Sequence, residues 1–153
     1  MRETFHLTGK PFSVNAMFYK DGRTKTQDWR EWSARVFHQL STESNLQKLS
    51  NLRNAFDASL HHVHVTLTVY YPREDFYNRN GEVSARTMDV TNFEKPLVDL
   101  FCDNRYFETP YPYGCQNLNI NDKYITQLLS RKVSGTEQRF EISFELVPAF
   151  SPV

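Results

Sequence analysis

The chain has 153 residues, the size of one domain with its own core. Apolar residues at 39% and charged residues at 24% exclude a disordered or low-complexity chain, and no apolar run approaches the ~20 residues of a membrane-spanning helix. Basic side chains (18) balance acidic ones (18), so recognition must rest on local patches. The opening MRETFHLTGK lacks an apolar leader segment. Cys102 and Cys115 alone cannot build a disulfide framework or a four-ligand zinc site. A cytoplasmic protein with free thiols, not attached to a membrane, is the expectation.

Thr4 to Thr8 alternates with Phe5 and Leu7 on one side, which predicts a short strand. Lys10-Pro11-Phe12-Ser13-Val14-Asn15 then breaks regularity. Trp29, Trp32, Val36, Phe37 and Leu40 recur at helical spacing, predicting an amphipathic helix over Gln27 to Leu40 with both tryptophans packed inward. Thr42 to Asp57 is ambiguous, with Leu46, Leu49, Leu52 and Phe56 only loosely periodic. His62 to Tyr71 is the clearest strand: Val63, Val65, Leu67 and Val69 face one way. His62 and His64 share its other face, but two ligands without a third make a poor zinc site. Pro72 to Ala85 is polar, with a turn at Asn80-Gly81.

Phe93, Leu97, Leu100 and Phe101 predict a second helix. Tyr106 to Asn117 reads as a loop rich in Tyr, Pro and Gly. Tyr124 to Val133 predicts a strand with imperfect alternation, Gly135 a turn, and Phe140 to Leu146 a closing strand. The order predicts an α+β domain: a small mixed β-sheet with two main helices packed on it.

Charge is unevenly spread. Lys20, Arg23, Lys25, Arg30 and Arg35 cluster near the start, and Lys123, Arg131, Lys132 and Arg139 near the end. Between them, Glu74 to Glu108 is acidic. Basic ends around an acidic middle suit a nuclease, which needs bases for the phosphate backbone and carboxylates for a metal. They also suit an ordinary solvated surface.

The chemistry-bearing segment is Arg86 to Asp99. At 100° per residue, with Asn92 at zero, Lys95, Asp99 and Asp103 fall at roughly 300°, 340° and 20°. They form one polar stripe beside the apolar face of Phe93, Leu97, Leu100 and Phe101. Carboxylates beside a lysine suit metal-dependent phosphodiester hydrolysis. On the residues alone a second reading stays open: Asp89 and Asn92 cap a helix, Lys95 pairs with Asp99, and Thr91-x-x-Glu94 is a capping box.

This set of segments resembles the RusA-type Holliday-junction resolvases. Lys10-Pro11-Phe12-Ser13-Val14-Asn15 resembles the family's Pro-Pro-Ser-x-Asn segment, and Arg23-Thr24-Lys25-Thr26 the basic stretch that follows. Asp89-Val90-Thr91-Asn92-Phe93-Glu94-Lys95 resembles Asp-x-Asp-Asn-x-x-Lys, Asp99 the helix aspartate, and Asn121-Asp122 the family's Asp-Asp pair.

The resemblance covers most of the chain and implies one RusA-like endonuclease domain over residues 1–153. It implies a homodimer that cleaves four-way or other branched DNA with Mg2+, or with Mn2+ in its place. Asp89, Asp122 and Lys95 would be catalytic, with Asp89 and Asp122 the metal ligands and Asn92, Thr91 and Asp99 in support. Lys20, Arg23, Lys25, Arg30 and Lys123 would meet the DNA. Two family carboxylates are neutral here, as Thr91 and Asn121. That substitution raises an alternative: a catalytically degenerate member that binds branched DNA or a protein without cutting. Residues 105–118 stand as an insertion whose Tyr106, Phe107, Tyr111 and Tyr113 would stack on unpaired bases or pack on the core.

Overall fold

The computed structural model describes residues 1–109 and 114–149; Tyr111 and Tyr113 lie outside them. Four strands, β1 (Arg2–Thr8), β2 (His61–Pro72), β3 (Ile125–Gly135) and β4 (Arg139–Pro148), form one mixed sheet in the order β1-β4-β2-β3. β4 runs antiparallel to both β1 and β2, whereas β3 runs parallel to β2. The α+β class and the mixed sheet expected from the sequence are therefore present.

Alternation decides which face is buried. Phe5 and Leu7 of β1, Val63, Val65, Leu67 and Val69 of β2, and Phe140, Ile142, Phe144 and Leu146 of β4 are all buried. The residues between them, among them His6, His64, Thr66, Glu141 and Glu145, form a polar opposite face. β3 is an edge strand with only half-buried or exposed positions, including Leu128 and Leu129. No position on either face of β3 is fully buried, so burial imposes little alternation on its sequence.

Helix α1 (Gln27–Leu40) has the predicted bounds. Thr26 caps it by accepting a hydrogen bond from the Trp29 amide, and its stripe of Trp29, Trp32, Val36, Phe37 and Leu40 is buried. At about 1.5–3 kcal/mol for each large side chain removed from water, this stripe fixes the helix on the core. The ambiguous segment is a second full helix, α2 (Glu43–Ala55), capped by Thr42. Only Leu49 and Leu52 of α2 are fully buried, while Leu46 is exposed. That thin apolar stripe is why its periodicity is poorly marked.

Residues 73–124 leave the sheet between the parallel strands β2 and β3. They carry a single turn, α3 (Arg73–Phe76), then a 3-10 turn (Val90–Phe93) leading into α4 (Glu94–Cys102), then α5 (Arg105–Glu108). Pro96 is buried within the first turn of α4, where a missing amide donor costs nothing. Asp89 precedes the 3-10 turn with no side-chain cap bond, so it does not cap as expected. Thr91 lies inside that turn while Phe93 stands at the start of α4, so Thr91 is not at the capping position that the expected box with Glu94 needs. The segment predicted as loop from Tyr106 begins with the short helix α5.

After β3 the chain crosses the end of β2 to reach β4. A Cβ on Gly135 would lie 3.3 Å from Tyr70 Cβ, so this crossing passes too close for a larger residue to fit without movement. Gln138 Nε2 donates to the Tyr70 carbonyl at 3.0 Å and ties the crossing down.

Candidate metal cleft and adjoining basic pocket

Asp99, Cys102 and Asp103 stand at i, i+3 and i+4, so the end of α4 presents them on one side. With Asn104, Asn119, Asn121 and Asp122 they line a cleft of about 430 Å³. The opposite wall is the 117–124 segment, and its placement depends on Asn117. That side chain is fully buried and donates from Nδ2 to the carbonyls of Asp103 (2.7 Å) and Leu100 (3.2 Å). Its Oδ1 accepts from the Asn119 amide at 3.0 Å, and the Leu118 amide donates to the Phe101 carbonyl at 2.9 Å. Asn117 thus satisfies carbonyls that the end of α4 leaves open and pins the wall that carries Asp122. Nothing in the sequence pattern marks it, since an Asn in a turn-rich stretch is ordinary.

Asn121 takes a local role as well. Its Oδ1 accepts from the Lys123 amide at 2.9 Å and caps the 3-10 turn (Asp122–Tyr124). Asp122 and Lys123 are exposed on that turn. Among the described residues the Asp122 carboxylate has no ion-pair partner.

Asp99 and Asp103 are each held by cations. Asp99 Oδ2 receives Lys25 Nζ at 3.2 Å and Lys95 Nζ at 3.3 Å. Lys25 is buried, with its ammonium 4.5 Å from the centre of a Trp29 ring and 4.9 Å from that of Phe18. Burial lowers the Lys25 pKa, and the Asp99 charge opposes that shift. Lys95 is half exposed and also lies over Phe18, at 5.9 Å. Asp103 is gripped by Arg105, whose Nη2 lies 2.6 Å and Nε 3.1 Å from Oδ2. Burial pushes the Asp103 carboxyl up, but the Arg105 hydrogen bonds and charge outweigh it and leave it below its usual value. Burial, reinforced by Asp122, Asp99 and Asp103, pushes the Cys102 thiol well up. Cys102 therefore lines the cleft as a protonated thiol. Both cysteines are free and buried, as expected.

The other expected site residues lie on the approach to α4. Asp89 and Thr91 are exposed and Asn92 is half-buried; none of the three lines the cleft. The Asn92 amide donates to the Asp89 carbonyl at 2.9 Å. The preceding residues are anchored to the sheet: the Met88 amide donates to Tyr71 Oη at 3.0 Å, and Lys132 Nζ donates to Thr87 Oγ1 at 3.0 Å. The cleft thus gathers Asp122 with Asp99 and Asp103, and places Lys95 on Asp99. Asp89 remains on the adjoining turn. Among the described residues, no three or more His, Cys, Asp and Glu side chains come close enough together to hold a metal ion between them.

A second cavity, of about 440 Å³, lies against the start of α1. Arg23, Lys25, Arg30 and Arg105 contribute to its lining together with Trp29 and Tyr106. Of the expected DNA-contacting residues, Arg23, Lys25 and Arg30 meet here, whereas Lys20 and Lys123 are exposed elsewhere. Lys25 is turned inward onto Asp99. Tyr106 packs against Phe37 and accepts a hydrogen bond from Trp29 Nε1 at 3.1 Å.

Compared with protein-family models and with curated proteins, the chain matches none of either. Among the described residues no helix is long and apolar enough to cross a membrane.

Proposed function

We propose that this protein is a RusA-like, metal-dependent endonuclease that hydrolyses phosphodiester bonds in four-way or otherwise branched DNA, acting as a homodimer. One observation carries the reading: an acidic cleft containing Asp122 shares its Asp99 and Asp103 wall with cationic side chains. A phosphodiester hydrolase needs that juxtaposition, with oxygen donors for a hard cation beside positive charge for the phosphate.

The donor chemistry fits magnesium or manganese. The exposed donors of the cleft are carboxylates and asparagine amides, and Cys102 is a neutral thiol. Magnesium usually sits on one or two carboxylates and keeps waters and substrate phosphate as its other ligands. Asp122 would hold it, with Asp89 the second ligand that the family resemblance implies. When bound, the ion supplies Lewis-acid polarisation of the phosphate and an activated water.

The chain's own groups do the rest. Lys95, kept at the edge of the cleft by Asp99, offers an ammonium to the charge that grows on the phosphate. Lys25 holds the same carboxylate from the buried side and so keeps Asp99 in place. Asn117 fixes the wall that bears Asp122. In a symmetric dimer, one site per copy would make paired nicks.

A second reading rests on the occupied carboxylates. Asp99 and Asp103 are both engaged by cations, and Thr91 and Asn121 are neutral. A protein with so few free carboxylates would bind branched DNA and leave it intact.

The test is a labelled four-way junction incubated with magnesium and with manganese, beside Asp122→Asn and Asp89→Asn. Symmetric nicks that require metal and vanish in the variants support the nuclease. Tight binding without nicks in either metal supports the binder. Cleavage by both variants at the wild-type rate would overturn the site assignment.

A further inference from the structure

We propose that the cavity at the start of α1 is a phosphate-binding pocket, and that its ligand is a backbone phosphate of a nucleic-acid strand whose neighbouring phosphate lies in the acidic cleft. The proposal deepens the nuclease reading and rests on it for the second phosphate only.

The pocket is built from cations with unequal duties. Lys25 and Arg105 are neutralised by Asp99 and Asp103, respectively. Among the described residues, Arg23 and Arg30 are in no ion pair. The pocket therefore keeps two uncompensated guanidinium groups, whose planar donor forks match phosphate oxygens better than an ammonium does.

Arg23 is held by a rigid turn. The Asp21 carboxylate accepts from the amides of Arg23 and Thr24, each at 2.9 Å. Gly22 adopts a positive φ of 72°, and the Tyr19 amide closes the turn on the Thr24 carbonyl at 2.9 Å. Arg30 stands in the first turns of a 14-residue helix, whose amino-terminal end favours an anion. The buried Trp29 and the half-buried Tyr106 also line the cavity, so its basic groups stand beside an apolar wall.

The position makes the pocket more than a basic surface. Asp99 and Asp103 line the cleft, while their partners Lys25 and Arg105 line the pocket. Two ion pairs form the shared wall, so a strand crossing it passes directly from a phosphate-accepting cavity to one suited to a cation.

The test uses the whole chain without divalent metal, in the presence of a chelator, so no cleavage enters the readout. Binding of a 5′-hydroxyl oligothymidylate is measured across a salt series for the wild type, Arg30→Gln, the double variant R23Q/R30Q and the control Arg79→Gln. Thermal melting checks folding, and because both arginines are exposed the variants should melt as the wild type does. The expected result is at least a tenfold loss of affinity in R23Q/R30Q, with the slope of log K against log salt shallower by about 0.7 for each phosphate that the variant no longer neutralises. R23K/R30K should recover the slope and only part of the affinity. Inorganic phosphate should compete with the oligonucleotide on the wild type and not on R23Q/R30Q.

Unchanged affinity and slope in R23Q/R30Q would overturn the pocket. Arginine-dependent binding of a 5′-mononucleotide without binding of the 5′-hydroxyl strand would overturn the backbone assignment in favour of a free phosphomonoester. Arginine-dependent strand binding by a protein that cuts no junction would overturn the nuclease reading and leave the pocket standing.

Discussion

Lys25 and Lys95 converge on the same carboxylate oxygen, Asp99 Oδ2, at 3.2 Å and 3.3 Å. They are not equivalent. The Lys25 side chain is 9% exposed and that of Lys95 53%. The inner ammonium has given up water for an ion pair and two aromatic faces, whereas the outer one remains available to a substrate.

That asymmetry separates two substitutions. Lys25→Met leaves a largely buried Asp99 with its inner partner gone and should destabilise the fold by about 1–3 kcal/mol. Lys95→Met removes a half-exposed partner and should cost under about 1 kcal/mol. Urea denaturation of both variants, with Asp99→Asn to complete the cycle, measures the difference. Equal costs would contradict the inner-outer distinction.

The Asp103–Arg105 pair sets an acid limit on stability. Burial raises the Asp103 carboxyl, but hydrogen bonds from Arg105 outweigh it, and the folded group lies below its ordinary value of 3.8. A lowered acid stabilises the native state above its unfolded value, and that contribution disappears as the pH falls below 3.8 and through the folded value. Urea midpoints taken from about pH 5 down to about pH 2.5 should fall more steeply for the wild type than for Arg105→Gln.

On the nuclease reading, placing carboxylates at Thr91 and Asn121 should strengthen cation binding. Thr91 is exposed, and Asn121 uses only its Oδ1 as a cap, a role that an aspartate keeps. T91D/N121D should therefore fold normally and bind manganese roughly tenfold or more tightly, since each change adds a hard oxygen anion near the proposed ligands. Calorimetric titration of the two proteins reads this directly. Equal affinities would place the cation elsewhere.

Tyr71 anchors the chain immediately before Asp89. Removing its hydroxyl in Tyr71→Phe leaves the Met88 amide without its acceptor, a loss of about 1 kcal/mol. Met88 should then exchange its amide hydrogen faster, with the β2 core amides unchanged. On the nuclease reading, cleavage should fall while junction binding holds.

The sheet and α1 are legible because burial on one side imposes period two on β2 and β4, and a broad apolar stripe imposes period 3.6 on α1. The second helix is obscured because Leu49 and Leu52 are its only fully buried apolar positions. Asp99 and Asp103 can be placed on one stripe from helix geometry. Lys95 follows from its i,i+4 spacing to Asp99 and Arg105 is two residues from Asp103, but Lys25 lies 74 residues from Asp99 and only tertiary packing brings it there. Asn117 is silent for a related reason. Its importance lies in three backbone groups that it bonds, and backbone groups leave no trace in residue identity.

The parallel pairing of β2 with β3 forces the chain to leave the sheet and return, and every acidic residue of the proposed site lies on that excursion. The entropic cost of closing such a loop grows only with the logarithm of its length, about 0.6 kcal/mol for each doubling. Chain can therefore be added at its exposed bend around Asn80 and Gly81 without a large penalty to the scaffold. Descendants of such a chain are free to vary what they grip at that bend while the inner sheet stays as it is.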